Sequence, residues 1–229
     1  MRILAIDTSC CAASAAVVER GQIEPLVAET RVMARGQAEA LVPMVEDAMA
    51  RIERGAASLD RIAVTTGPGS FTGIRVGVAL ARAMGLALGV PVVGVSTLAA
   101  FAASLLATLR PGIITAAIDA RHGAVYFQLF EPSGRPLGPP RCDTLRECVR
   151  AIGSGPALLA GDAATALAAE AHRAGLPYDI SGAREVPDIV AVARMGLALD
   201  PTTSPARPLY VKPPDARPNP SAAIARAPA

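Results

Sequence analysis

The chain has 229 residues, 52% of them hydrophobic and 18% charged, which is enough apolar material for one large domain or two small ones and excludes a chain disordered throughout. Its net charge of +2 carries no run of lysines or arginines, so no nucleic-acid footprint shows in the totals and any RNA contact is expected to be local or shared. Four cysteines without C-x-x-C spacing and two well-separated histidines, His122 and His172, exclude a zinc knuckle, a redox pair and a histidine-built metal site.

In chain order, residues 1–8 read as a buried strand ending at Asp7, residues 12–19 as a second strand after a turn holding Cys10 and Cys11, and residues 23–32 as a third, which together make a meander. An aspartate at the end of a first strand can hold a metal-bound phosphate, or it can do no more than cap its own turn. Residues 37–54 place Leu41, Val42, Met44, Val45, Ala48, Met49 and Ile52 at three- and four-residue steps, as an amphipathic helix requires. Pro43 is expected to bend that helix or leave its first turn irregular. No apolar run reaches 18 residues without a charged or turn residue, and the N-terminus has no basic flank with a cleavage site; a cytoplasmic chain with no membrane contact is expected.

The densest pattern spans residues 65–89, T-T-G-P-G-S-F-T-G-I-R-V-G-V-A-L-A-R-A-M-G-L-A-L-G. A strand over 62–66 ends in Gly67-Pro68-Gly69, and Ser70 or Thr72 can cap the helix that follows. As a phosphate cradle the loop is weak: Thr72 stands where G-x-G-x-x-G needs its third glycine, and no Gly-Lys-Ser/Thr follows. Gly73, Gly77, Ala81, Gly85 and Gly89 recur every four residues and so fall in one nearly straight row on the helix. The interior glycines at 73, 77 and 85 together cost on the order of 3 kcal/mol relative to alanine, which a close backbone neighbour must offset, inside the domain or on a partner.

Residues 91–95 follow as a short strand, and Ser96-Thr97 caps a helix over 98–109. After Arg110-Pro111-Gly112 the order of elements starts again. A strand over 113–119 ends in Asp119, with Arg121 near enough to pair with it, and residues 124–130 form the paired strand. Helices over 145–152, 163–174 and 186–199 and a strand over 157–160 complete the second half. An α/β chain is expected, with an N-terminal lobe (1–110), a C-terminal lobe (111–212) and a Pro/Ala-rich tail (213–229) whose composition cannot build a core and is expected to be disordered.

Four islands, I-L-A-I-D-T-S (3–9), G-P-G-S-F-T-G-I-R-V-G (67–77), G-V-S-T-L (94–98) and I-D-A-R (118–121) followed by V-Y-F, together resemble the TsaB family, also called YeaZ. P-L-Y-V-K (208–212) is similar to that family's closing P-x-Y-x-R, so the likeness covers residues 1–212. The resemblance implies a duplicated fold of the actin, Hsp70 and sugar-kinase type (ASKHA) with two similar lobes. It implies a dimerization subunit in the formation of N6-threonylcarbamoyladenosine (t6A) at position 37 of ANN-decoding tRNAs, with no activity alone and no catalytic residue or metal of its own. Its partners would be the catalytic paralogue TsaD, as a heterodimer, and the ATPase TsaE; a homodimer is the implied state when alone, and tRNA is met through the complex. ATP would be used by the complex, and the chain would have no cofactor of its own. The H-x-x-x-H metal pair of TsaD has no counterpart here, and Gln37 stands where the family often has a histidine.

This reading puts the partner surface on the helices over 37–54 and 70–89, at Leu41, Met44, Val45, Ala48, Met49 and Ile52 with Gly73, Gly77 and Ala81. Asp7, Gly69, Ser70 and Asp119 are weak candidates for a nucleotide site. The alternative, an ATP-binding phosphotransferase of the sugar-kinase class, needs a second glycine-rich loop for adenosine, and the stretches 152–155 and 160–162 are too slight to serve. A glycoprotease would need a nucleophile with its base, and none is visible.

Overall fold

The computed structural model describes residues 1–106, 110–176 and 178–212; the expected tail and the end of the helix predicted over 98–109 lie outside them. Within them one sheet is built twice. In the first half β1 (Arg2–Asp7), β2 (Ala12–Glu19), β3 (Val27–Val32), β4 (Arg61–Gly67) and β5 (Val92–Ser96) take the order β3-β2-β1-β4-β5. In the second, β6 (Ile113–Asp119), β7 (Ala124–Phe130), β8 (Arg141–Thr144), β9 (Ala157–Ala160) and β10 (Asp179–Gly182) take the order β8-β7-β6-β9-β10. Each half opens with an antiparallel meander and adds two parallel strands beside its first. The duplicated two-lobe fold is therefore present, and Asp7 and Asp119 close corresponding strands.

Local chemistry explains where the elements differ from expectation. The third strand starts at Val27, not at residue 23, because Pro25 has no N–H to give the ladder; the pairing resumes where Leu26 N donates to Val17 O at 2.8 Å. Helix α1 (Gln37–Ala50) runs through Pro43 and ends short of residue 54, where Arg54 and Gly55 turn left-handed. Strands β8 and β10 are four residues each and carry no alternation long enough to read from sequence.

Helices α1 and α2 (Phe71–Leu88) cover one face of the first sheet, with Leu41, Met44, Ile74 and Val78 packed on Leu4, Ile6, Ile62 and Val64. Helices α4 (Leu145–Ile152) and α5 (Ala164–Arg173) do the same for the second, around Phe127, Cys148, Leu159 and Leu167. The remaining two helices cross over. From the first half, α3 (Thr97–Leu106) presses Phe101 and Leu105 against Ile114, Ile118 and Leu158 of the second sheet. From the second half, α6 (Ile189–Ala198) presses Ile189, Val192 and Ala193 against Ile3, Ala5 and Val93 of the first.

The glycine row of α2 faces inward. A Cβ on Gly73 would lie 1.9 Å from the carbonyl oxygen of Thr8, one on Gly77 would lie 2.6 Å from Thr8 Oγ1, and one on Gly85 would lie 2.2 Å from Val92 Cγ2. Ala81 in the same row is fully buried. The offset for three costly glycines is thus close seating of α2 on β1, β4 and β5. At 18 residues α2 is, by length and composition, apolar enough to cross a bilayer, yet the small-residue face is shaped for this sheet.

Gly73→Ala is expected to cost about 1–3 kcal/mol or more, because the neighbouring atom is backbone and cannot rotate away. Gly138→Ala, which meets nothing within 4 Å, is the control and should stay within about 0.5 kcal/mol of wild type. Urea melts of the two variants, compared through their midpoints, check this.

Candidate functional site

Asp7 is fully buried at the end of β1. Its Oδ1 accepts three hydrogen bonds, from Ser9 N (3.0 Å), Ser9 Oγ (2.5 Å) and Thr65 Oγ1 (2.5 Å), while Oδ2 has no partner among the described residues. Burial pushes the carboxyl above its usual range, and the donors on Ser9 and Thr65 pull it part of the way back. The glycine loop lies flush on this turn: Ser70 N donates to Ser9 O at 2.7 Å, and a Cβ on Gly69 would stand 2.1 Å from the same oxygen. Ser70 Oγ accepts from Gly73 N at 3.2 Å and so is the N-cap of α2. Of the four weak candidates for a nucleotide site, Gly69 and Ser70 spend their close approach and hydrogen bonds on the chain itself, and Asp7 does so through Oδ1 only, its buried Oδ2 being left without a partner among the described residues.

Asp119, on the corresponding strand of the second lobe, is exposed. Its Oδ1 accepts from Arg121 N at 2.8 Å, its Oδ2 stands 3.8 Å from Arg121 Nη1, and its own N–H donates to Asp162 Oδ1 at 2.8 Å. Desolvation raises the Asp162 carboxyl, and the nearby charge of Asp119 adds to this. Between the two turns sits the Cys10 thiol, raised well above its normal range by burial first and then by the charges of Asp7 and Asp162, so it is a packing residue and not a nucleophile. Cys11 points its sulfur at Glu185 O, 3.7 Å away. Asp119 and Asp162 thus stand together with the Arg121 guanidinium beside them. No cluster of His, Cys, Asp and Glu able to hold a metal occurs among the described residues. Sequence reasoning missed Thr65 and Asp162, which only strand pairing brings to Asp7 and Asp119, and Ser9, whose bond to Asp7 is local to the turn.

The side chains expected to meet a partner are also relocated. Leu41, Met44, Val45 and Ala48 are buried in the chain's own core, Met49 and Ile52 pack at its edge, and Gly73, Gly77 and Ala81 face the sheet. None of the buried ones can reach another protein without unfolding, which corrects that assignment. The same two helices turn a different face outward. On α2 it consists of Phe71, Arg75, Ala79, Arg82, Ala83 and Leu86, and on α1 of Glu39, Val42, Pro43, Glu46 and Asp47. Leu86, in the last turn of α2, is 87% exposed and Val42 of α1 45%, with Phe71 exposed at the start of α2.

The family model described as TsaD: tRNA N6-adenosine threonylcarbamoyltransferase matches residues 29–187. The chain is 35% identical over 218 residues to an uncharacterized protein of Mycobacterium tuberculosis, covering 94% of this chain and 94% of that one. It is 35% identical over 131 residues to the tRNA threonylcarbamoyladenosine biosynthesis protein TsaB of Escherichia coli, covering 57% of this chain and 55% of that one. Among solved structures, YeaZ from Pseudomonas aeruginosa superposes with a TM-score of 0.73 at 26% identity, over 91% of this chain and 99% of that one.

The raised Asp7 carboxyl has a consequence for stability. The folded chain holds its proton to a higher pH than the unfolded chain does, so Asp7 costs stability as pH climbs from the unfolded carboxylate range through the folded value. Asp7→Asn removes that term and should gain on wild type in melting temperature as pH climbs above the unfolded carboxylate value of about 4. A constant difference between the two melting curves across that range would contradict it.

Proposed function

Because the chain belongs to the TsaB/YeaZ family, we propose that it serves N6-threonylcarbamoyladenosine formation in tRNA as a non-catalytic subunit that binds and supports the transferase TsaD. The observation that carries the reading is the outward face of α1 and α2, where large apolar side chains stand in solvent on helices whose inner faces are already satisfied. An ordered face of this kind has a reason to exist when a second protein covers it. Its charges are segregated, with Arg75 and Arg82 on α2 and Glu39, Glu46 and Asp47 on α1, so a partner helix pair of the opposite pattern docks in one orientation.

Catalysis belongs elsewhere in the assembly under this reading. The Asp7 turn is closed, and ATP and metal are the business of TsaD and of TsaE. A cytoplasmic location follows from the tRNA substrate, which the chain meets through the complex. The phosphotransferase alternative would have to work through a fully buried first-strand aspartate whose Oδ1 already accepts from Ser9 and Thr65.

Two substitutions separate surface from core. Leu86→Glu changes an exposed side chain and should leave the melting temperature unchanged while abolishing co-elution with the cell's own transferase and modification of tRNA by the reconstituted complex. Met44→Glu buries a charge in the core and should cost about 3 kcal/mol or more, visible as loss of the folded lone subunit. Sustained transfer or ATP turnover by the chain without its partner would overturn the reading.

A further inference from the structure

The closing motif at residues 208–212 has no place in either sheet, and its contacts show its use. Leaving α6, the chain runs along edge strand β5, where Gly94 N donates to Ser204 O at 2.9 Å and Val93 bridges Pro205. It then passes the end of β4, where Leu209 N donates to Thr66 O at 2.8 Å, and brings Tyr210 over the first turn of α2. The Tyr210 and Phe71 rings stand 5.1 Å apart, the Arg75 guanidinium lies 3.7 Å above the centre of the Phe71 ring, and Arg75 Nε donates to Tyr210 Oη at 2.8 Å. All three side chains are at the surface.

An exposed arginine ordinarily samples many rotamers. This one is stacked on a ring and anchored through Nε, so much of its freedom is lost before any ligand arrives. Its Nη1 and Nη2 make no hydrogen bond or ion pair among the described residues, which leaves a fixed two-pronged donor edge matched to a planar carboxylate.

We propose that Phe71, Arg75 and Tyr210 form a preorganised platform on which the partner subunit seats an aspartate or glutamate side chain. This rests on the reading that the partner docks on α1 and α2. The platform is continuous with that surface, since Phe71 and Arg75 begin the row that Ala79, Ala83 and Leu86 continue. The positive end of the α2 dipole adds to the attraction. The rim is apolar, with Phe71, Leu209 and the Tyr210 ring, and becomes dry on docking, which favours a protein carboxylate over a hydrated phosphodiester.

The test titrates the full-length chain and its variants against the transferase subunit at low and high salt. Arg75→Lys keeps the charge and loses the fork, and should weaken binding by roughly tenfold or more with an unchanged melting temperature. Tyr210→Phe keeps the ring and loses the Nε anchor, and should weaken binding by a smaller factor; it carries the comparison should Arg75→Lys melt early. Wild-type affinity in both variants, with Leu86→Glu abolishing binding, overturns the platform and leaves the docking surface standing. Wild-type affinity in Leu86→Glu as well overturns both. Unchanged partner affinity in Arg75→Lys together with weaker tRNA binding by the assembled complex overturns the proposal in favour of a phosphate ligand.

Discussion

Between Thr8 and Gly73 there is room for a hydrogen bond and for no side chain. The Thr8 hydroxyl donates to Gly73 O at 2.6 Å, and a Cβ on Gly73 would fall 1.9 Å from Thr8 O. That contact brings the helix down on the end of β1, and the glycine loop before it must then lie against the Asp7 turn, as the Ser70 N to Ser9 O bond records. The loop is consequently closed, the carboxylate of Asp7 is enclosed, and the opposite face of α2 is raised clear of the body. Closure on one side and display on the other are two results of the same seating.

The exchange of helices holds the two lobes to each other. Asp188 caps α6 by accepting from Val190 N and Ala191 N, and the far end of the helix is received by arginines of the first half. Arg61 Nη1 donates to Gly196 O and Leu199 O at 2.8 and 2.7 Å, and Arg20 Nη2 donates to Leu197 O at 2.8 Å. Cations at the last carbonyls of a helix both satisfy orphan acceptors and oppose the negative end of its dipole. A guanidinium held by a helix that arrives more than a hundred residues later makes the first sheet dependent on the second half of the chain.

Where the turns after β1 and β6 come together, carboxyl groups stand around the buried Cys10 thiol, which burial and the charges of Asp7 and Asp162 raise above its normal range. On the second-half side Asp119 is bonded to both Asp162 and Arg121, and Cys10 of the first half packs among Phe101, Ile118 and Ala160. Away from these turns the molecule carries an outward helix pair with segregated charge, and an end strap that fixes an arginine at its margin.

Much of this architecture was legible in the residues. The meander, the capped glycine helix, the restart after Gly112 and the aspartate at the end of each first strand all rest on near-neighbour chemistry: apolar runs, punctuating Gly and Pro, and a serine three residues before the N–H it accepts. The stripe Leu41, Met44, Val45, Ala48 and the row Gly73, Gly77, Ala81 were equally legible as faces, but not what those faces meet. Helical spacing shows that one side of a helix is apolar or bare, and the same spacing serves an internal sheet or a foreign protein. The choice was made by β1, β4 and β5, whose pairing places Thr8 and Val92 against the bare side. Asp7 has the same history: its partner Thr65 lies 58 residues away, and a carboxylate's role depends on which donors reach it. Long-range strand pairing determines that proximity, and no local pattern encodes it.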